Sequence, residues 1–157
     1  MFLNYRWTNV FHCKWGIDTE PQCKIATTET FLMANGITIS QDHTTVFVND
    51  PLDMNIMALS RNTETGNLTK LYNIKLPSIV DNIEYDDEAN EIILGSLIPG
   101  GVAVASPTMD DDKIWIIKGV LKHDETKLKQ ISAAARMGNS KIVLGSPFSE
   151  GILVCSR

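Results

Sequence analysis

The fold is decided by three short apolar segments of similar sequence: Thr45-Val46-Phe47-Val48-Asn49, Glu91-Ile92-Ile93-Leu94-Gly95 and Lys141-Ile142-Val143-Leu144-Gly145. Branched and aromatic side chains dominate these segments, which is typical of β-strands. The segments recur at intervals of roughly 46 and 50 residues, close to the length of one four-stranded propeller blade. The repeat therefore predicts an all-β fold with about three four-stranded blades.

The rest of the chain has the same character, with short runs rich in Val, Ile and Thr separated by Gly, Asn, Asp and Pro. Only the Ala-rich run ending at Met137 invites a helix, and it is too short for one. A β-sandwich with long hairpins is the alternative architecture. The predicted strands are Thr8–Lys14, Lys24–Thr28, Gly36–Ser40, Thr44–Asn49, Asn55–Ser60, Leu68–Ile74, Asn82–Tyr85, Glu91–Gly95, Val102–Ser106, Lys113–Lys118, Leu128–Ala134, Ser140–Gly145 and Gly151–Cys155.

Three blades do not close a ring, because strand edges and apolar blade faces would stay open to water. We therefore expect residues 1–157 to be part of a larger propeller. The N-terminus has no basic stretch followed by an apolar core, so it does not read as a signal peptide. No apolar run approaches the roughly 20 residues of a membrane helix.

The composition excludes some classes of function. Apolar residues make up 43% of the chain, so a disordered chain is not expected. The net charge of -5 and the scattered Lys and Arg argue against a nucleic-acid partner. Two acidic clusters, Asp86-Asp87-Glu88 and Asp110-Asp111-Asp112, are expected to be solvated turns, with a weak surface cation site as the alternative.

The chain has three cysteines, Cys13, Cys23 and Cys155. Cys13 and Cys23 are separated by a turn-rich segment and could form a disulfide across a hairpin. Cys155 would then have no disulfide partner in this sequence. In a reducing compartment all three would be thiols. The sequon at Asn67 predicts a glycosylation site and supports secretion weakly.

Catalytic motifs of the common hydrolases are absent from the sequence. It has no Gly-x-Ser-x-Gly pentapeptide, and its histidines His12, His43 and His123 are dispersed. Oxygen-bearing side chains instead precede two strands in similar places of consecutive repeats, at Asn35 and at Asp81-Asn82. In a propeller such positions point at the central channel, where oxygens can converge on a hard cation such as Ca²⁺. The alternative is that these residues only cap turns.

Those two segments resemble a known family. Met33-Ala34-Asn35-Gly36-Ile37-Thr38-Ile39-Ser40 is similar to the Phe-Ala-Asn-Gly-Ile-x-Ile-Ser stretch of the paraoxonase/arylesterase family, and Ile79-Val80-Asp81-Asn82-Ile83 is similar to its Leu-Val-Asp-Asn-Ile. Matches in the same order include Trp7-Thr8-Asn9-Val10, the segment 140–148, and Ile152-Leu153-Val154-Cys155. The resemblance identifies the chain as the C-terminal half of a six-bladed propeller.

The resemblance implies a calcium-dependent hydrolase of aryl esters and lactones, inactive as an isolated half. It assigns Asn35, Asp81 and Asn82 to the catalytic Ca²⁺. It places the His pair, the remaining ligands, most of a structural calcium site and the disulfide partner of Cys155 in the missing N-terminal half. It also implies a secreted whole protein and leaves open membrane or lipoprotein association through that N-terminus. Its substrate pocket would be walled by Met33, Leu52, Pro147 and Phe148.

The sequence departs from the family pattern around this pocket. The family Phe is Met33 here, its Gly-Cys-His-Pro-Asn-Gly becomes the segment 95–101 without His, and its Phe-His becomes Phe148-Ser149. These changes put the substrate class in doubt more than the metal. The alternatives are a non-catalytic paraoxonase-like binding or chaperone protein, and a gluconolactonase-type or strictosidine-synthase-like relative.

Overall fold

The computed structural model describes residues 5–98, 100–109, 111, 113–122, 128, 130–138 and 141–156, and within these every regular element is a β-strand. No described segment forms a helix with the length and hydrophobicity needed to cross a membrane. The strands are β1 (Phe11–Gly16), β2 (Thr19–Ile25), β3 (Ile37–Ile39), β4 (Thr45–Asp50), β5 (Asn55–Arg61), β6 (Leu68–Lys75), β7 (Ile79–Asp86), β8 (Glu91–Ile98), β9 (Gly101–Pro107), β10 (Trp115–Lys122), β11 (Ala133–Met137), β12 (Lys141–Gly145) and β13 (Leu153–Ser156).

The strands form consecutive antiparallel sheets in chain order. We call them blade A (β3-β4-β5-β6), blade B (β7-β8-β9-β10) and blade C (β11-β12-β13). The strands β1 and β2 form a separate hairpin ahead of blade A. Sequential meanders packed face to face are the architecture of a β-propeller, so the prediction of about three blades is confirmed.

Blades A and B are covered on both faces, which explains why the second strand of each is apolar at successive positions. In β4, Val46 and Val48 pack toward the segment that includes Val10 and Phe31, while Phe47 packs toward blade B. In β8, Ile92 and Leu94 pack toward blade A, and Ile93 packs toward blade C. Alternation places neighbouring side chains on opposite faces, and both faces are buried.

The hairpin confirms one of the cysteine predictions. Cys13 and Cys23 face each other across β1 and β2 and form a disulfide, with Cα atoms 4.1 Å apart. Cys155 lies on β13, half-buried, with no disulfide partner among the described residues.

Three local predictions were wrong. The strand predicted at Lys24–Thr28 begins earlier and ends at Ile25, because β2 (Thr19–Ile25) pairs with β1 across a tight hairpin turn. The strand predicted at Leu128–Ala134 begins later, because β11 is the Ala-rich segment Ala133–Met137, which pairs along its length with β12. Asp86 is not solvated: it is buried and forms an ion pair with Arg136 of blade C. Asp87 and His43 are exposed, as expected of turn residues, whereas Asp110, Asp112 and His123 lie outside the described residues.

A candidate metal centre between two blades

The predicted metal ligands lie at one end of the sheets, which we call the ligand end. Asn35 immediately precedes β3, and Asp81 and Asn82 lie near the start of β7. These two strands begin blades A and B, and they are in contact with each other. Blade order therefore brings together residues that are far apart in the sequence.

Asn35 and Asp81 are in direct contact. The Asn35 Nδ2 donates a hydrogen bond to the Asp81 Oδ1 at 2.6 Å. The Asn35 side chain is exposed and that of Asp81 is half-buried, so both are accessible from the ligand end. An amide donor on one carboxylate oxygen leaves the amide oxygen and the second carboxylate oxygen to accept from, or coordinate, another group.

Gly36 allows the two blades to approach this closely. A Cβ at this position would lie 2.8 Å from the backbone nitrogen of Ile83 and 3.0 Å from the Cα of Asn82. The glycine is therefore required by backbone packing between β3 and β7. It explains why the residue next to the predicted ligand Asn35 has no side chain.

Asn49 holds the Asp81 segment through hydrogen bonds to its backbone. Its side chain is completely buried, and its Nδ2 donates to the carbonyl oxygen of Val80, at 2.8 Å, and to that of Asp81. Its own backbone oxygen accepts from the Asn35 N–H at 3.0 Å. One buried residue is thus bonded to both segments that carry the predicted ligands.

Asn82 is oriented toward blade C rather than toward Asn35. Its Nδ2 and its backbone nitrogen each donate to the carbonyl oxygen of Ser132 at 3.0 Å. The amide oxygen of Asn82 is left as the atom available to a cation. The structure therefore joins Asn35 to Asp81 directly and fixes Asn82 through a third blade.

The four predicted pocket residues also lie at the ligand end. Met33 precedes β3, Leu52 lies in the β4–β5 turn, and Pro147 and Phe148 follow β12. Because antiparallel strands alternate in direction, these connections are at the same end as the starts of β3 and β7. Phe148 and Leu52 are 63% and 62% exposed, so they are suited to a wall of an open pocket.

Asn49 is a residue of the site that was not predicted from the sequence. Its signal was a break in the repeat, because Asn49 occupies the position that Gly95 and Gly145 hold in the other two segments. Among the described residues, no three His, Cys, Asp or Glu side chains come together in a way that would hold a metal. A cation at the ligand end would depend on amide oxygens as well as on Asp81.

These features define a class of protein: a β-propeller with amide and carboxylate side chains gathered at the starts of its inner strands. A family model described as Arylesterase matches residues 1–109. The chain belongs to the arylesterase family.

Individual relatives agree with this assignment. The chain is 34% identical over 94 residues to serum paraoxonase/arylesterase 2 of Bos taurus, covering 60% of this chain and 25% of that protein. It is 27% identical over 160 residues to serum paraoxonase/lactonase 3 of Oryctolagus cuniculus, covering 94% of this chain and 43% of that protein. The chain thus spans less than half the length of these relatives.

Two solved structures share the fold at low sequence identity. A luciferin-regenerating enzyme superposes with a TM-score of 0.58 at 14% identity, covering 82% of this chain and 41% of that one. A gluconolactonase of Xanthomonas campestris superposes with a TM-score of 0.56 at 16% identity, covering 78% of this chain and 37% of that one. The fold is accordingly a partial six-bladed β-propeller.

Proposed function

We propose that this chain is the C-terminal half of a calcium-dependent hydrolase of aryl esters and lactones, and that it is inactive on its own. Membership of the arylesterase family and the names of its paraoxonase/arylesterase and paraoxonase/lactonase relatives support the reaction class. The observation that carries the calcium site is the contact between Asn35 and Asp81 across neighbouring blades.

The residues fit a hard cation chemically. Asn35 and Asn82 each bring one amide oxygen, and Asp81 brings two carboxylate oxygens and the formal negative charge. Ca²⁺ takes about six to eight oxygen ligands, so this set is part of a coordination shell and needs ligands from elsewhere. Bound there, the ion would act as a Lewis acid on the substrate carbonyl and stabilise its oxyanion.

The chain's own residues would position that chemistry. Asn49 holds the Val80 and Asp81 carbonyls, which fixes the carboxylate relative to Asn35. Met33, Leu52, Pro147 and Phe148 would form the wall that holds the apolar part of an ester. A general base is still needed to activate water, and we place it, like the missing ligands, in the other half of the ring.

The remaining features fit a secreted protein, which is part of the proposal. The disulfide between Cys13 and Cys23 is typical of an oxidising compartment. Asn67 is exposed, so its sequon is accessible to glycosylation, although its Oδ1 accepts from the Lys24 Nζ at 2.6 Å. We expect Cys155 to pair with a cysteine near the mature N-terminus of the whole protein.

The test is a calorimetric Ca²⁺ titration of the protein that joins this chain to the remaining blades. Asp81→Ala should weaken calcium binding at the catalytic site by more than about tenfold, because it removes the charge and two ligand oxygens. Asp87→Ala is the matched control, since Asp87 is an exposed acid at the opposite end of the same strand. Unchanged calcium affinity in the Asp81 variant would remove the ligand assignment.

Hydrolysis assays test the enzyme part separately. The joined protein should hydrolyse phenyl acetate or a lactone, and a chelator should abolish the activity. Calcium binding without hydrolysis would instead favour a binding or chaperone protein, which the altered segment 95–101 and Phe148-Ser149 would explain.

A further inference from the structure

A cavity lies between blades A and B, at the end of the sheets opposite the ligand end. Its volume is about 380 Å³, within the range of small-molecule sites. The β3–β4 turn, the β7–β8 turn, the end of β9 at Pro107 and the start of β10 at Trp115 meet around it. Both blades that form it are complete in this chain, so it does not depend on the rest of the ring.

Four aromatic side chains line this cavity: Phe47, Tyr72, Tyr85 and Trp115. Tyr85 stacks on Phe47 with ring centres 5.7 Å apart, and Trp115 packs edge-on to Phe47 at 5.6 Å. The Trp115 Nε1 donates to the Tyr72 hydroxyl at 3.3 Å, and the Tyr85 hydroxyl donates to Asn90. These contacts fix the rings against one another, so the wall is preorganised.

The cavity is electrostatically negative. Asp42 lies at its rim, where hydrogen bonds from the Ser40 hydroxyl and from Thr44 lower the pKa of its carboxyl to about 2. Burial, followed by the charges of Asp87 and Asp42, raises the pKa of Tyr85. Among the described residues that line the cavity, none is Lys, Arg or His.

We propose that this cavity binds a small organic ammonium ion, with the aromatic side chains as one wall of the site and Asp42 as the counter-charge. Aromatic rings attract a cation through the negative potential of their faces, and Trp and Tyr do so most strongly. An alkylated ammonium is weakly hydrated, so packing it against an apolar wall costs little desolvation free energy. A carboxylate or phosphate ligand would be repelled by Asp42, and none of the described lining residues is a cation that could offset this. The proposal is independent of the hydrolase function, because the site lies away from Asn35 and Asp81.

The test uses the full chain and two ligands of the same shape, choline and its neutral carbon isostere 3,3-dimethylbutan-1-ol. Binding is followed by NMR, through the indole N–H signal of Trp115. Choline should shift this signal and bind at least about threefold more tightly than the neutral alcohol. Equal affinity for the two ligands, or no shift with choline, overturns the proposal.

Variants locate the site. Trp115→Leu should weaken choline binding about threefold to fivefold, while Trp15→Leu is the matched control, because Trp15 is exposed on the β1–β2 hairpin. Asp42→Asn keeps the size and the turn but removes the charge, and should weaken binding about twofold, less at high salt. Because Asp42 is exposed, this variant tests the site even where Trp115→Leu disturbs folding. Wild-type affinity in both variants overturns the assignment.

Discussion

The interface between blades A and B and the interface between blades B and C are built differently at the same position of the repeat. In blade A this position is Asn49, whose buried amide donates to the Val80 and Asp81 carbonyls of blade B. In blade B it is Gly95, where a Cβ would lie 2.9 Å from the carbonyl carbon and oxygen of Ser132. At this position the A–B interface is bridged by the Asn49 side chain, whereas at the B–C interface the two backbones pack directly against each other.

The difference indicates which contacts hold the residues of the candidate site in place. Asn35 and Asp81 both lie at the A–B interface. This interface is held together by the Asn49 hydrogen bonds and by a core that includes aromatic side chains. Among the described residues, the B–C interface has an aliphatic core and is joined by an ion pair between Arg136 and the buried carboxylate of Asp86. Substitutions at these contacts should therefore affect the two interfaces through different mechanisms.

The largest effect is expected from Arg136→Ala at the B–C interface. The Asp86 side chain is 3% exposed, so removal of Arg136 leaves a buried carboxylate without its partner. The free energy of unfolding should fall by about 3 kcal/mol, measured by denaturant unfolding. Lys70→Ala is the control, because its ion pair with Glu29 is exposed at 3.9 Å and should contribute less than about 1 kcal/mol. Similar losses in the two variants would contradict a special role for the buried pair.

Gly36→Ala should have the next largest effect, at the A–B interface. The added methyl would lie 2.8 Å from the Ile83 nitrogen, so β3 and β7 must separate, at a cost of about 2 kcal/mol. Gly145→Ala is the matched control, since the nearest atom there is the Ala133 Cβ at 3.8 Å. Thermal unfolding should show a lower midpoint for Gly36→Ala only. A wild-type midpoint for this variant would mean that the blades are not in backbone contact at Gly36.

Asn49→Ala should cost about 1–2 kcal/mol, because the Val80 and Asp81 carbonyls lose a buried donor. Asn73→Ala is the control, since Asn73 is exposed on β6. Chemical unfolding gives the stability loss. If Asn49 also positions Asp81, calcium affinity of the joined protein should fall in the Asn49 variant and stay unchanged in the Asn73 variant. A stability loss without a change in calcium affinity would limit Asn49 to a structural role.

The sequence predicts the repeated part of this fold and misses what crosses between repeats. The strands around Val46 and Ile92 were recognisable because both faces are buried and the runs are apolar throughout. β11 was misplaced because alanine has a weak strand preference, and its pairing with β12 decides its position. Asp86 was predicted to be a solvated turn residue because its partner, Arg136, is in another blade and far away in the sequence. The repeat predicted that Asn35 and Asp81 lie at the same end of neighbouring blades, whereas their direct hydrogen bond and the role of Asn49 depend on side-chain geometry between blades.

The smallest effect concerns the first turn of each blade, which contains an aspartate in both cases, Asp42 in blade A and Asp86 in blade B. Asp42 is held by hydroxyl and backbone donors of its own turn instead of by a cation, and these lower its pKa from 3.8 to about 2. A folded-state pKa below the unfolded one stabilises the protein above pH 3.8, and this contribution disappears as the pH falls through about 2. Wild type should therefore unfold at a slightly higher temperature than Asp42→Asn at pH 6, with the difference vanishing near the Asp42 pKa of about 2. Ser40→Ala removes the strongest of these donors, so an NMR titration should show the Asp42 pKa rising toward its usual value. An unchanged Asp42 pKa in the Ser40 variant would mean that the turn does not hold the carboxylate, and the contrast with the cation-held Asp86 would be lost.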